Sequence, residues 1–218
     1  MNRPIRSFVL RQGRTTPAQQ RALDELLPRL GLNFSNEPIQ VEKIFGRKAP
    51  LVLEIGSGMG ESTAEIAKAH PEVDFVAVEV HGPGVGSLLN RIEKEGIANL
   101  RVVRHDAVEV LERMVADGAL AGVHLFFPDP WPKKRHHKRR LVQADFVALL
   151  GRKLAPGGVV HLATDWPEYA DQMAATFSGN SLFQAAARGL VERSSTKFEQ
   201  RGRRLGNPVR DLVFTRKP

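Results

Sequence analysis

The 218-residue chain contains no cysteine. Disulfide bonds, zinc sites built on thiolates and cysteine nucleophiles are therefore excluded. The chain also lacks the run of about 18 apolar residues that a membrane-spanning helix requires. Its N-terminus lacks the basic head and apolar block of a signal peptide. We therefore expect a cytoplasmic protein with no membrane segment, and we expect no bound metal.

Acidic residues are scarce in three segments of a chain whose formal net charge is +8. Residues 1–23 contain five arginines and no acid, and two further basic clusters occupy residues 133–140 and 201–204. A surplus of this kind attracts polyanions, and nucleic acid is the first candidate. Solvated surface runs that only aid solubility are the alternative explanation.

The first 49 residues differ in pattern from the rest. Thr16 can cap a helix, Pro17 suits its first position, and Gln19 completes a capping box. Four leucines between residues 23 and 30 then form one apolar stripe, and Gly31 is a plausible stop. We predict a basic arm, a capped helix and a linker over residues 1–49, followed by one domain over residues 50–218.

From residue 50 onward, short apolar segments alternate with amphipathic ones. The predicted strands are 51–55, 75–80, 100–104, 123–127, 159–163, 182–187 and 209–215. The predicted helices are 61–69, 84–95, 107–117, 139–154 and 167–177. This alternation indicates an α/β, Rossmann-like fold, in which a mostly parallel seven-stranded sheet carries helices on both faces.

A glycine-rich turn, Glu54–Gly60, follows the first predicted strand. Gly56 and Gly58 let the backbone turn sharply and approach a ligand closely. A dinucleotide site would place a third glycine at position 61, where this chain has Glu61, so the pattern disfavours a nicotinamide-dependent dehydrogenase. The Gly-x-Gly-x-Gly spacing after an acid suits S-adenosylmethionine, which has no phosphate, although a purely structural turn is the alternative.

Two further acids follow predicted strands. Glu79 can accept hydrogen bonds from ribose hydroxyls, or it can be an ordinary solvated acid. Asp106, next to Ala107, can accept from an adenine amino group, or it can cap the following helix. Taken together with the glycine turn, the pattern favours cofactor binding by both acids and by Ala107.

The segment Phe126–Arg135 follows the fourth strand. Its three prolines stiffen the loop that carries Asp129 and Trp131. A carboxylate, an aromatic plate and adjacent cations suit an extruded base with its phosphates. A solvated basic run would explain the lysines but not the rigid turn before them.

Two further segments leave both readings open. Asp165 and the tail loop 195–202 either contact a ligand or serve only as a helix cap and an ordinary loop.

These motifs resemble those of the bacterial tRNA (guanine-N7-)-methyltransferases, which are S-adenosyl-L-methionine-dependent enzymes of the class I fold. The matching segments are Arg6–Phe8, Leu53–Gly60, Val78–His81, Pro83–Gly86, Phe127–Arg140, Thr164–Asp165 and Thr196–Gly202. The resemblance implies S-adenosyl-L-methionine as cofactor and tRNA as partner, in a monomer or homodimer.

The resemblance also implies roles for individual residues. Cofactor contacts are expected at Glu54, Gly56, Gly58, Glu79, Asp106, Ala107 and Asp129. Substrate contacts are expected at Lys133, Asp165, Thr196, Lys197, Phe198 and Glu199. RNA contacts are expected at Arg135, His136, His137, Lys138, Arg139 and Arg140.

The expected chemistry needs no general base, because guanine N7 has a lone pair and no proton. Asp129 is the expected catalytic residue, since a carboxylate can stabilise the positive charge that reaches the purine or accept from its N1 and amino hydrogens. The alternatives are a methyltransferase that acts on another RNA, a protein or a small molecule, and a non-catalytic RNA-binding protein on the same fold.

Overall fold

The computed structural model describes Phe8, residues 13–193 and residues 208–218. The expectations for the basic arm before Gly13, except Phe8, and for the tail loop 194–207 lie outside the described residues.

One sheet of seven strands forms the centre of the described chain. The strands are β1 Leu51–Ile55, β2 Asp74–Val78, β3 Leu100–Val103, β4 Leu120–Phe126, β5 Leu154–Thr164, β6 Phe183–Ala185 and β7 Arg210–Arg216. Their order is β3-β2-β1-β4-β5-β7-β6. The first five strands pair in parallel, while β7 is antiparallel to both β5 and β6. The predicted mostly parallel sheet is confirmed.

The helices lie on both faces of the sheet. They are α1 Pro17–Arg21, α2 Leu27–Leu30, α3 Val41–Phe45, α4 Glu61–Ala69, α5 Gly82–Glu95, α6 Ala107–Met114, α7 Ala144–Lys153 and α8 Pro167–Ser178. A π-helical turn, Ala22–Leu26, joins α1 to α2, and a 3₁₀ helix occupies Lys134–Arg139.

The predicted helix over 139–154 is wrong at its start, because α7 begins only at Ala144. The backbone N–H of Val142 donates to the hydroxyl of Tyr169 over 3.2 Å, which takes it out of a helical hydrogen-bond ladder. Residues 140–143 therefore connect the 3₁₀ helix to α7. A contact with a helix 27 residues further on in the chain overrides the local apolar pattern.

Alternation along β1 decides which face each side chain takes. Leu53 and Ile55 join the hydrophobic cluster that α6, α7 and α8 cover, while Val52 joins the cluster that α4 and α5 cover. Full burial of such side chains contributes about 1.5–3 kcal/mol each, so the orientation of β1 is strongly fixed. Glu54 shares the face of Val52, and it consequently points toward α4.

The capped N-terminal helix is confirmed. The backbone N–H of Gln19 donates to Oγ1 of Thr16 over 3.3 Å, and the N–H of Thr16 donates to Oε1 of Gln19 over 2.9 Å. The N–H of Leu27 reaches back to the carbonyl of Ala22, which widens the helix one residue before Pro28. Buried Ala22 joins the cluster that α5 also lines.

No helix within the described ranges is long and apolar enough to cross a membrane.

Candidate active site

A cavity opens at the carboxyl ends of the central parallel strands. It lies beside β1 and β4, where the sheet order reverses direction, which is the usual ligand site in such folds. Of the predicted cofactor residues, five line it directly: Gly56, Glu79, Asp106, Ala107 and Asp129. Five residues from four separate segments of the chain are thus brought to one cavity.

The glycine turn connects β1 to α4. Gly56, Gly58 and Gly60 all have positive φ, at 77°, 56° and 76°. L side chains rarely adopt this backbone conformation, so the glycines permit the turn. A Cβ on Gly84 of α5 would lie 2.3 Å from the carbonyl oxygen of Gly58. The absence of a side chain at residue 84 therefore lets α5 approach the turn.

Glu54 lies next to this turn and is 4 % exposed. Its Oε1 accepts from the hydroxyl of Thr63 over 2.8 Å, whereas Oε2 is buried and has no hydrogen-bond partner among the described residues. Burial raises the pKa of Glu54 from 4.5 to about 7, the bond from Thr63 lowers it and the neighbouring Glu79 raises it. Glu54 does not itself line the cavity, but the next two residues, Ile55 and Gly56, do, and a cationic ligand group would supply the partner that its Oε2 lacks in the described chain.

Ser57 provides a second unsatisfied group at the turn. Its Oγ is buried, and none of the described atoms pairs with it. A buried polar atom costs about 1–3 kcal/mol when it has no partner, so two of them in one turn point to a polar ligand. A phosphate would face the acid at Glu54. The accepting carboxylate of Glu54 and the hydroxyl of Ser57 fit an amino acid moiety with an ammonium group, as in S-adenosylmethionine, better than a pyrophosphate.

Glu79 fixes the turn from the neighbouring strand. Its Oε2 accepts from the backbone N–H of Gly58 over 2.8 Å, and its Oε1 accepts from that of His81 over 2.8 Å. An ionised carboxylate offers about four acceptor sites, so each oxygen keeps capacity for another donor. Glu79 can hold the turn and accept from a ligand at the same time.

Asp106 has the capping role that the sequence left open. Its Oδ1 accepts from the N–H of Val108 over 2.8 Å and from that of Glu109 over 3.3 Å, at the start of α6. Both bonds use the same oxygen, and Asp106 also lines the cavity. The cap and the predicted adenine contact are therefore compatible.

An aromatic stack beside Asp106 was not predicted. The rings of Phe34 and His105 lie 3.6 Å apart at their centroids and 15° from coplanar. His105 lines the cavity, while Phe34 comes from the segment that the sequence marked only as linker. A single aromatic residue in a polar segment gives no pattern from which its partner could be found.

The loop after β4 carries Asp129, which is exposed at the cavity. Phe127 and Trp131, on either side of it, have positive φ values of 51° and 46°. Each such non-glycine residue costs about 1–2 kcal/mol, and such strain persists only where surrounding contacts impose it. The sequence predicted a stiff turn from its prolines, and the structure adds two strained residues to it.

The basic segment that follows is mostly exposed. Lys133, Lys134, Arg135 and Lys138 are all exposed to solvent. Arg139 lies over the ring of Trp131 at 5.1 Å, and His136 meets the same ring edge-on at 5.9 Å. The lysines and arginines of this segment place positive charge on the same edge of the sheet as the cavity.

Arg140 differs from the others, because it is only 2 % exposed. Its Nε donates to the carbonyl of Pro130 over 2.8 Å, and its guanidinium donates to Oε1 of Gln172 over 2.6 Å. A buried guanidinium with these partners does not face solvent, so the predicted RNA contact at Arg140 is not supported. His137, whose Nε2 lies 3.0 Å from the Arg140 guanidinium, is also partly buried.

Asp165 follows β5 at the same edge and is partly buried. The other predicted substrate residues, Thr196, Lys197, Phe198 and Glu199, lie outside the described residues.

A cluster around Asp211 was not predicted. Arg193 donates to both carboxylate oxygens of Asp211, at 2.9 and 3.0 Å. His161 also meets Asp211, at 2.9 Å. The sequence did not indicate this cluster, since its members are up to 50 residues apart.

Comparison with known proteins identifies the family and agrees with this fold. Residues 48–212 match a family described as "Putative methyltransferase". A tRNA (guanine-N(7)-)-methyltransferase from Nitrosomonas eutropha is 56% identical over 217 residues, which cover 98% of this chain and 97% of the relative. One of the same name from Neisseria meningitidis serogroup A is 56% identical over 218 residues, which cover 98% of this chain and 92% of the relative.

A solved structure shares the fold at low identity. It is a variant of the 16S rRNA (adenine(1408)-N(1))-methyltransferase from Catenulisporales acidiphilia with its cosubstrate SAM. It is 20% identical, its TM-score is 0.55, and the match covers 85% of this chain and 93% of that one. The fold is therefore the Rossmann-like fold of class I methyltransferases, and the chain belongs to the tRNA (guanine-N7-)-methyltransferase family.

Proposed function

We propose that this protein transfers the methyl group of S-adenosyl-L-methionine to N7 of a guanine in the variable loop of tRNA, forming 7-methylguanosine. One observation carries the proposal. Glu54, with its buried unpartnered oxygen, lies at the same sheet edge as the strained Asp129 loop and its exposed cations. The names of the relatives and their near-complete overlap with this chain support the same conclusion.

The glycine turn and its acids hold the cofactor, which supplies an electrophilic methyl group on a sulfonium sulfur when bound. Glu54 pairs with the ammonium of the methionine moiety, because its Oε2 has no other partner in the described chain. Glu79 accepts from the ribose hydroxyls, and Oδ2 of Asp106 accepts from the adenine amino group beside Ala107. Gly56 and Gly58 keep the backbone clear of the cofactor.

The part of the cavity that Asp129 lines receives the guanine. Asp129 accepts from the N1 and amino hydrogens of the base and stabilises the positive charge that reaches it. Trp131 provides an aromatic surface next to the base. Lys133, Asp165 and the segment Thr196–Glu199 complete the substrate contacts.

The exposed cations hold the tRNA by its phosphates. Four of them, Lys133, Lys134, Arg135 and Lys138, follow the Asp129 loop directly. Arg139 adds its charge beside Trp131, and His136 contacts the same ring. Arginine and lysine contacts to phosphate position an RNA without reading its sequence. The protein acts on tRNA in the cytoplasm, as a monomer or homodimer.

Positioning carries most of the catalysis, because N7 has no proton to lose. A correctly held pair of reactants can gain about 7–11 kcal/mol from orientation alone. The parts of this chain that orient the base are therefore as important as those that bind it, and the rigid loop around Asp129 meets that need.

Incubation of the protein with unmodified bulk tRNA and methyl-labelled cofactor, followed by nucleoside analysis, tests the proposal. We expect label in 7-methylguanosine. Label in another nucleoside would mean that the protein methylates a different base or atom. No label in RNA would favour the small-molecule, protein or non-catalytic alternatives. The same tRNA already modified at this position serves as the control and should accept no label.

A further inference from the structure

Arg140 connects two segments that both reach the candidate active site. It begins the segment after the 3₁₀ helix, and its side chain reaches back to the carbonyl of Pro130, the residue between Asp129 and Trp131. Three of its other contacts go to α8, which begins two residues after Asp165. One side chain therefore links the Asp129 loop to the helix that follows Asp165.

The contacts with α8 use both terminal nitrogens of the guanidinium and its central carbon. One terminal nitrogen donates to Oε1 of Gln172 over 2.6 Å, and the other lies 3.6 Å from the carboxylate of Glu168. The guanidinium carbon lies 4.9 Å from the centre of the Tyr169 ring. Three residues on one face of α8 thus surround a charge whose side chain is 1 % exposed.

His137 completes this arrangement. Its Nε2 lies 3.0 Å from a guanidinium nitrogen of Arg140, which can only donate, so the histidine presents a lone pair there. Its Nδ1 faces the carboxylate of Glu168 at 3.6 Å. The imidazole therefore lies between the Arg140 guanidinium and α8.

We propose that Arg140 is a positioning residue that holds Asp129 and Trp131 in their reactive arrangement and makes no contact with RNA. The proposal rests on the proposed function. The bond to Pro130 comes one residue before Trp131, whose backbone is strained at φ 46°. A strained turn keeps its shape only while neighbouring contacts impose it, and Arg140 supplies such a contact.

Two variants separate this role from RNA binding. Arg140→Lys keeps the positive charge but loses the planar fork that meets Pro130 and Gln172 together. Arg140→Met removes the charge as well. A phosphate-binding arginine would tolerate lysine, and its loss would reduce the salt dependence of tRNA binding by about one unit of slope. A positioning arginine would tolerate neither change, and the slope would stay the same.

The experiment measures kcat, KM for tRNA, cofactor affinity and the salt dependence of tRNA binding for both variants. We expect kcat to fall about 100-fold for Arg140→Met and about tenfold for Arg140→Lys, because small misplacements of reacting groups cost factors of this size. KM for tRNA and cofactor affinity should stay within about threefold of the original protein, and the salt slope should stay the same. Full activity of Arg140→Lys together with a reduced slope for Arg140→Met would overturn the proposal.

Two controls keep the test decisive. Arg152→Met removes an exposed arginine from α7 and should change none of these quantities. If Arg140→Met does not fold, Gln172→Met removes one of its partners and should lower kcat alone by severalfold, whereas unchanged kcat there would overturn the proposal. The original protein is assayed first, so that a failure to form 7-methylguanosine counts against the proposed function rather than against the role of Arg140.

Discussion

The hydroxyl of Thr63 donates a 2.8 Å hydrogen bond to Oε1 of Glu54, and it leaves Oε2 of the same carboxylate buried without a partner in the described chain. One carboxylate oxygen is thus satisfied by α4, and the other has no partner among the described residues. Burial raises the pKa of Glu54 to about 7, so the group changes its charge near neutral pH. Two predictions depend on this relationship.

Cofactor affinity should rise with pH. A bound ammonium group favours the ionised form of Glu54, so binding must displace a proton from it below its pKa of about 7. From pH 5.5 to pH 7 we expect the affinity for S-adenosylmethionine to increase about tenfold. Titration calorimetry in two buffers of different ionisation enthalpy measures both the affinity and the released proton.

Glu54→Gln is the matched variant for this experiment, since the amide cannot ionise. Its affinity should be weaker at pH 7 and nearly independent of pH over the same range. A flat profile for the original protein would show that Glu54 does not exchange a proton on binding.

The same carboxylate should destabilise the cofactor-free protein at high pH. Because its folded pKa is raised from 4.5, the folded state retains the proton longer than the unfolded state, and stability falls as pH rises from about 4.5 to 7. One pKa unit corresponds to about 1.4 kcal/mol, so the shift from 4.5 to about 7 corresponds to a penalty on the order of 3 kcal/mol above pH 7.

Urea unfolding of the cofactor-free Glu54→Gln variant checks this. We expect it to be more stable than the original protein at pH 8, by less than the full penalty because its amide is also buried. The difference should shrink at pH 5. The quantity to compare is the unfolding free energy of the variant minus that of the original protein. If this difference were smaller at pH 8 than at pH 5, the result would contradict the raised pKa.

The sequence predicted the first three strands well because they are almost entirely buried on both faces. Such strands are continuous apolar runs, and β1 was placed at its observed bounds from five residues alone. The acids at the strand ends were also found, because parallel strands bring their carboxyl ends to one edge. Composition and chain order are sufficient for both inferences.

Arg140 shows where this reasoning stops. In the sequence it is one of six cations in a run, and nothing local separates it from Arg139. The Arg140 guanidinium is buried because α8 is oriented so that Glu168, Tyr169 and Gln172 face it. Contacts of this kind join residues about 30 positions apart, so spacing within the motif could not reveal them.

A methyl group on Gly84 should damage cofactor binding. A Cβ there would lie 2.3 Å from the carbonyl oxygen of Gly58, and backbone atoms must shift to make room. We expect Gly84→Ala to weaken S-adenosylmethionine binding at least tenfold and to cost about 1–3 kcal/mol of stability. Calorimetry and thermal unfolding measure the two effects. Gly179→Ala, at the far end of α8 where the nearest atom is 3.3 Å away, is the control and should bind normally.

Loss of the Asp129 carboxylate should abolish most turnover and leave the fold intact. The side chain is exposed, so its removal disturbs little packing. We expect kcat of Asp129→Ala to fall roughly 100-fold or more, as for other preorganised groups that stabilise developing charge. Steady-state kinetics with tRNA measures this, and thermal unfolding checks the fold.

Asp129→Asn distinguishes charge from hydrogen bonding, because the amide keeps an acceptor but loses the negative charge. Asp145→Ala, which removes an exposed acid from α7, is the control. If Asp129→Ala turned over at nearly the original rate, this residue would have no part in the mechanism.

The exposed cations after the Asp129 loop should determine the salt dependence of tRNA binding. Each phosphate contact contributes about 0.7–0.9 to the slope of log affinity against log salt concentration. Replacement of Lys134, Arg135 and Lys138 by glutamine should therefore reduce the slope by about 2–3 and weaken binding most at low salt. Filter binding over a range of salt concentrations gives the slope directly.

A second triple variant has the same change in net charge but in a different place. Lys43, Lys48 and Lys94 are also exposed, and they belong to segments at the opposite edge of the sheet, before β1 and at the end of α5. Their replacement by glutamine should change the slope much less, because only charges that meet phosphates release counterions. Equal slopes for the two triple variants would mean that the net charge of the protein, and not the segment beside Asp129, attracts the tRNA.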